Sequence, residues 1–123
     1  MLDSLKMAGT LAGLMKNKEK LRESAERVKQ RLGEIRVVGE SGGGAVRVTA
    51  DGRMHVHAVE LIPSLAAHLT SEPAGRRMAE SLIAEAVNDA ITKAQSLAQR
   101  EVAKEAESLG LPAMPGLEGL LGG

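Results

Sequence analysis

The sequence predicts an α+β fold of order α-β-β-β-α: a three-stranded antiparallel meander between two long helices, completed as a homodimer. Three observations carry this. Residues 2–33 and 73–109 are rich in Lys, Glu, Arg, Leu and Ala, all good helix formers, with no proline beyond the first turn of either. Between them, short β-branched runs flank the cluster Gly42-Gly43-Gly44 and reach a second turn at Asp51-Gly52, the pattern of two successive hairpin connections. Finally, the 123 residues include no Phe, Tyr or Trp. Aromatic side chains dominate most cores, so a core of Leu, Val, Ile, Met and Ala is thin for a monomer, and a second chain is expected to complete burial.

The first helix carries a heptad seam. Met7, Leu11, Leu14, Lys18, Leu21, Ala25, Val28, Leu32 and Ile35 are spaced alternately four and three apart, which places them on one face for lengthwise packing against another helix. Lys18 interrupts that seam. At 100° per residue, Lys18, Arg22 and Lys29 fall on one flank of the stripe and Lys16, Lys20, Arg27 and Arg31 on the other, with Glu19, Glu23 and Glu26 behind. The wheel admits two readings, a solvated coiled-coil-like surface or a basic edge for phosphates.

The meander is read as strands over residues 35–39, 45–50 and 53–62. Val46 and Val48 share one face of the second strand. Asp51-Gly52 fits a two-residue type I′ turn. The third strand alternates imperfectly, as happens where both faces are partly covered or a bulge shifts register. Val46, Val48, Val56, Val59 and Leu61 mark the sheet region expected to meet a second copy. Pro63 ends the strand, and residues 64–75 read as a connection.

The second helix opens at Ser71-Glu72-Pro73, a cap candidate followed by proline in the first turn. Met78, Leu82, Ala86, Ala90, Ala94 and Leu97 form its apolar stripe, and its many alanines permit close approach to a sheet or helix. Asn88-Asp89 is a polar pair in this apolar stretch, able either to clamp an adjacent loop or to face water. Residues 1–109 therefore form one domain, and residues 110–123, dominated by Gly, Pro and Leu, a flexible tail.

Composition argues against several function classes. Without cysteine there is no disulfide, zinc finger or thiol nucleophile. The glycine cluster is followed by a strand and by no Gly-Lys-Ser/Thr, unlike a P-loop. His55 and His57 lie two apart with His68 the only other histidine, a poor metal set, and Ser41 has no nucleophile-elbow context. Neither cofactor nor metal is expected, and no enzyme. The start lacks a signal-peptide pattern and no apolar run reaches the ~18–20 residues of a membrane span, so a cytoplasmic address is expected. Formal charge is zero overall. It splits into +4 over residues 1–53 (eleven basic, seven acidic) and −4 over residues 54–123 (five basic, nine acidic).

The run Val38-Gly39-Glu40-Ser41-Gly42-Gly43-Gly44-Ala45-Val46-Arg47-Val48-Thr49 resembles the signature strand–loop–strand of the YbaB/EbfC family of bacterial nucleoid-associated proteins. Val59-Glu60-Leu61-Ile62-Pro63-Ser64-Leu65 and Leu82-Ile83-Ala84-Glu85-Ala86-Val87-Asn88-Asp89-Ala90 continue the resemblance, which spans roughly residues 5–105. It implies a homodimer formed through the sheet region with helices projecting like tweezers. It also implies a bacterial cytoplasmic protein that binds DNA with little sequence preference, without catalytic residues, and influences nucleoid organisation and gene expression. The Lys/Arg-rich first helix departs from the Met/Gln-rich one common in that family and favours phosphate contact. Lys16, Lys18, Lys20, Arg22, Arg27, Lys29 and Arg31 are accordingly the expected contacts to duplex DNA. The alternative is a dimeric scaffold that uses the heptad helix and the tail to hold a protein partner.

Overall fold

The structure, a computed structural model, describes residues 2–110, and side chains from residue 15 onward. Met7, Leu11 and Leu14 of the seam therefore lie outside the described side chains, and residues 111–123 of the expected tail lie outside the described residues. The elements are α1 (Leu2–Glu34), β1 (Arg36–Ser41), β2 (Val46–Asp51), β3 (Val56–Leu61), α2 (Pro63–His68) and α3 (Pro73–Ser108). The strands pair antiparallel in the order β1-β2-β3. This is the α+β meander between long helices, with one short helix added.

The β1–β2 connection needs its glycines. Gly42, Gly43 and Gly44 have φ of +59°, +66° and +93°, left-handed conformations that a side chain disfavours. Helix α3 then lies across one face of the sheet. Val37, Val46, Val48 and Ala50 from the strands pack on Ala79, Ala86, Ala90 and Ala94 of α3, with Leu65 of α2 closing one end. The alanine face brings helix and sheet so close that a Cβ built on Gly39 would stand 2.2 Å from the Ala90 nitrogen and 2.4 Å from the Ala86 oxygen. A core without aromatics is thus thin by construction. Its surface is removed from water by close approach of backbones rather than by large side chains.

Helix α1 packs on the C-terminal half of α3 in antiparallel fashion. Val28 and Leu32 are buried against Val102, with Ile35 and Ala98 alongside. Among the described seam side chains, burial is confined to this end. Leu21 is 50% exposed, because α3 stops at Ser108 while α1 continues outward. Residues 2–21 of α1 thus extend about 30 Å.

The end of α1 is tied to the sheet. Its Leu32 carbonyl accepts the Gly52 N–H at 2.8 Å, and the Arg36 guanidinium donates to the carbonyls of Gly33 and Ile35 at 2.7 and 3.0 Å. These bonds satisfy acceptors that a helix terminus otherwise leaves without partners.

Two local expectations need correction, and one open alternative is resolved. The β2–β3 turn is not a two-residue type I′ turn. The Asp51 N–H donates to His55 O at 2.9 Å, the Met54 N–H to Asp51 O at 3.1 Å, and the positive φ (+67°) falls on Met54. The loop is therefore Gly52-Arg53-Met54, and β3 begins at Val56 rather than residue 53. The cause is the buried Asp51 side chain. Its Oδ1 accepts the N–H groups of Arg53 (2.7 Å) and His55 (3.2 Å), while Oδ2 meets His57 Nε2 at 2.8 Å. A self-bonding aspartate dictates the loop, and Gly52 is required for approach to Leu32, whose carbonyl oxygen would lie 2.8 Å from a Cβ there.

Next, the pairing of Thr49 with Ala58 and Ala50 with Val56 leaves His57 as a bulge. This accounts for the imperfect alternation. Lastly, the stretch read as a connection contains α2, opened by Pro63. Six residues are too few to show a helical period.

Candidate nucleic-acid interface

The two edges of the sheet differ. On β1, Asp89 of α3 accepts the Glu40 N–H at 2.9 Å, and Lys93, paired to Asp89 at 2.9 Å, donates to the Val38 carbonyl at 3.0 Å. The Asn88-Asp89 pair thus supplies a strand clamp, through Asp89 alone. The Glu40 N–H of β1, and after it Lys93 of α3 itself, hold the Asp89 carboxyl below its usual range. On β3, α3 does not reach. Val59 lies opposite Val48 on the same sheet face, yet Val56 and Val59 are each 43% exposed. Of the five residues expected to mark a dimer surface, Val46 and Val48 are fully buried beneath α3 of the same protomer. Leu61 is half-buried. Val56 and Val59 alone are exposed.

The seven basic residues expected to meet phosphates fall into two groups. Lys18, Arg22 and Lys29 run along one flank of α1, all exposed. Lys18 and Arg22 are one turn apart, about 6 Å along the axis, and Lys29 lies about 10 Å further. Together with Lys16 and Lys20, they make no ion pair among the described residues. Arg27 and Arg31 lie on the other flank and lean onto α3. Arg27 meets Glu105 Oε1 at 3.1 Å, and Arg31 meets Glu105 Oε2 at 2.6 Å and Glu101 at 4.0 Å. The buried Ser24 hydroxyl also donates to Glu105 Oε1.

Glu105 was not among the sequence candidates, nor was Ser24. An i, i+4 pair of glutamates on α3 is an ordinary solvated pattern. It gains meaning only when antiparallel packing brings Ser24, Arg27 and Arg31 opposite. The Ser24 hydrogen bond, followed by the one from Arg31, lowers the Glu105 carboxyl to about 2. Since the folded value lies below the ordinary 4.5, the tie contributes its full stability above about pH 4.5 and loses it as pH falls towards 2. The expected result is a difference in melting temperature between wild type and Glu105→Gln that is largest near neutral pH and shrinks across this window. Thermal melts from pH 6 to pH 2 measure it. A constant difference would show that the charge of Glu105 does not hold the helices together.

The histidines take no part in this surface. His57 serves Asp51, and among the described residues no three His, Asp or Glu side chains converge as a metal set. The candidate surface is a row of cations without ion pairs among the described residues, on a helix that continues past the end of α3. The family model for the YbaB/EbfC DNA-binding family matches residues 7–109 of the chain.

Proposed function

The chain belongs to the YbaB/EbfC DNA-binding family, and we propose that it is a non-enzymatic, nucleoid-associated bacterial protein that binds duplex DNA as a homodimer with little sequence preference. The observation that carries this reading is the Lys18–Arg22–Lys29 row, exposed and free of carboxylate partners among the described residues. Lys16 and Lys20 add to it across the helix. Cations that meet only the phosphate backbone give affinity without sequence readout. The absence of aromatic residues removes the stacking that single-strand binders use and favours a duplex. Binding of this kind acts through occupancy, on nucleoid organisation and on the expression of genes it covers. The proposed location is the cytoplasmic nucleoid, and among the described residues no helix is long and apolar enough to cross a membrane.

Dimerisation is supported by the surface at β3. Val56, Val59 and Ile62 are all more than two-fifths exposed, beside a strand edge that no other element pairs among the described residues. Apolar side chains gathered at an open strand edge favour a partner. The exposed Leu21 on the seam favours a second reading, in which projecting α1 holds a protein instead.

A duplex-DNA titration from 0.05 to 0.5 M salt, with molecular mass measured in the same buffers, tests the proposal. The expected result is a linear fall of log affinity with log salt, from a species of twice the chain mass. Affinity independent of salt, or no binding at low salt, would refute the phosphate-contact reading. A monomer mass would refute the dimer.

A further inference from the structure

Arg27 and Arg31 continue the flank begun by Lys16 and Lys20, so α1 carries a second basic row whose inner half is held by an acid. We propose that Glu105 is an internal competitor for DNA phosphate: by holding Arg27 and Arg31 against α3, it sets how many charges α1 presents to the duplex. This inference rests on α1 being the DNA-binding helix.

A carboxylate and a phosphate offer the same oxygen pair to a guanidinium fork. Glu105 gives Oε1 to Arg27 and Ser24 and Oε2 to Arg31, so one side chain occupies both arginines. It is itself only 12% exposed, whereas Arg27 and Arg31 are 57% and 45% exposed. The acid is shielded while the arginines keep an open outer side. A phosphate can reach them without parting the helices, but only in competition with a fixed anion already in contact. Glu101 contributes less, at 4.0 Å from Arg31 and shared with Lys104 at 3.7 Å. The consequence is a division along α1. Its packed end is neutralised by α3, and DNA contact is shifted to the projecting part and to the opposite flank.

Glu105→Gln separates charge from shape, since its amide oxygen still accepts from Ser24. In salt titrations of duplex DNA, this variant is expected to show a slope of log affinity against log salt steeper by up to about 2 per engaged protomer. That corresponds to up to about 60-fold tighter binding per tenfold dilution of salt relative to wild type. Ser24→Ala, which weakens the tie without altering charge, is expected to keep the wild-type slope. So is Arg27→Gln with Arg31→Gln in an otherwise wild-type chain, a variant that tests the proposal even if Glu105→Gln folds poorly. A Glu105→Gln slope equal to or shallower than wild type overturns the inference. So does equal steepening by Ser24→Ala, or a slope reduced by about 2 in the double arginine variant. A wild-type chain without salt-dependent binding fails at the earlier step and removes the DNA-binding reading itself.

Discussion

Gly39→Ala is expected to destabilise the protein by about 4 kcal/mol or more, a large share of the ~5–15 kcal/mol that holds a single domain folded. The added Cβ would stand 2.2 Å from the Ala90 nitrogen, 2.4 Å from the Ala86 oxygen and 2.7 Å from the Ala90 Cα. All three are backbone atoms of α3, so no side chain can rotate away. The helix must lift off β1 by an ångström or more, and doing so opens the contact of Val37, Val46 and Val48 with Ala86, Ala90 and Ala94. The residues buried at this contact are valines and alanines, too short to fill the gap. Overpacking here is therefore costlier than the ~1–3 kcal/mol of an ordinary core.

Gly43→Ala is the control. Its Cβ meets nothing within 4 Å, although φ is +66°, and it is expected to cost only about 1 kcal/mol. Urea titrations followed by far-UV circular dichroism compare the two. If Gly39→Ala lay within 1 kcal/mol of wild type, close backbone packing would not be what joins α3 to the sheet.

Gly39 also shows which parts of the fold were legible. Helix composition, β-branched runs and the glycine cluster are local signals, and each produced its element. Gly39 itself stood in the motif that resembles the family, but its need for contact with Ala86 and Ala90, some fifty residues on, is a tertiary fact. The Asp51-Gly52 pair misled for the same reason. Its dipeptide suits a type I′ turn, yet the buried Asp51 carboxylate, bonded to Arg53, His55 and His57, imposes a three-residue loop.

Asp89 was visible as a polar residue that needs partners, and the partners proved to be Glu40 N–H and Lys93. At the candidate interface, the wheel separated the two basic flanks correctly. It had no means of showing that α3 would pass along one of them and stop at Ser108. That single packing choice pairs Arg27 and Arg31 and leaves Lys18, Arg22 and Lys29 without ion pairs among the described residues.

Replacing Lys18, Arg22 and Lys29 together by Gln is expected to make the salt slope shallower by about 2.7. At 0.1 M relative to 1 M salt, this amounts to a loss of up to about 500-fold in affinity. Each residue is exposed and Gln is a good helix former, so stability should stay within about 0.5 kcal/mol of wild type. Loss of binding would then report lost contacts rather than lost fold. The three span eleven helical steps on one flank, about 16 Å of helix, long enough to meet several phosphates of one strand.

The comparison that decides the matter is with Lys16→Gln and Lys20→Gln, on the other flank. If DNA lies along the Lys18 flank, the triple variant loses most of the slope and the lysine pair little. If both sets lose slope in proportion to the charges removed, the duplex grips α1 from two sides, as a helix held between backbones would be. A triple variant that keeps both its fold and its slope would move the phosphate contacts off this flank altogether. The exposed arginines of the sheet end, Arg47 and Arg53, would then be the next basic positions to neutralise.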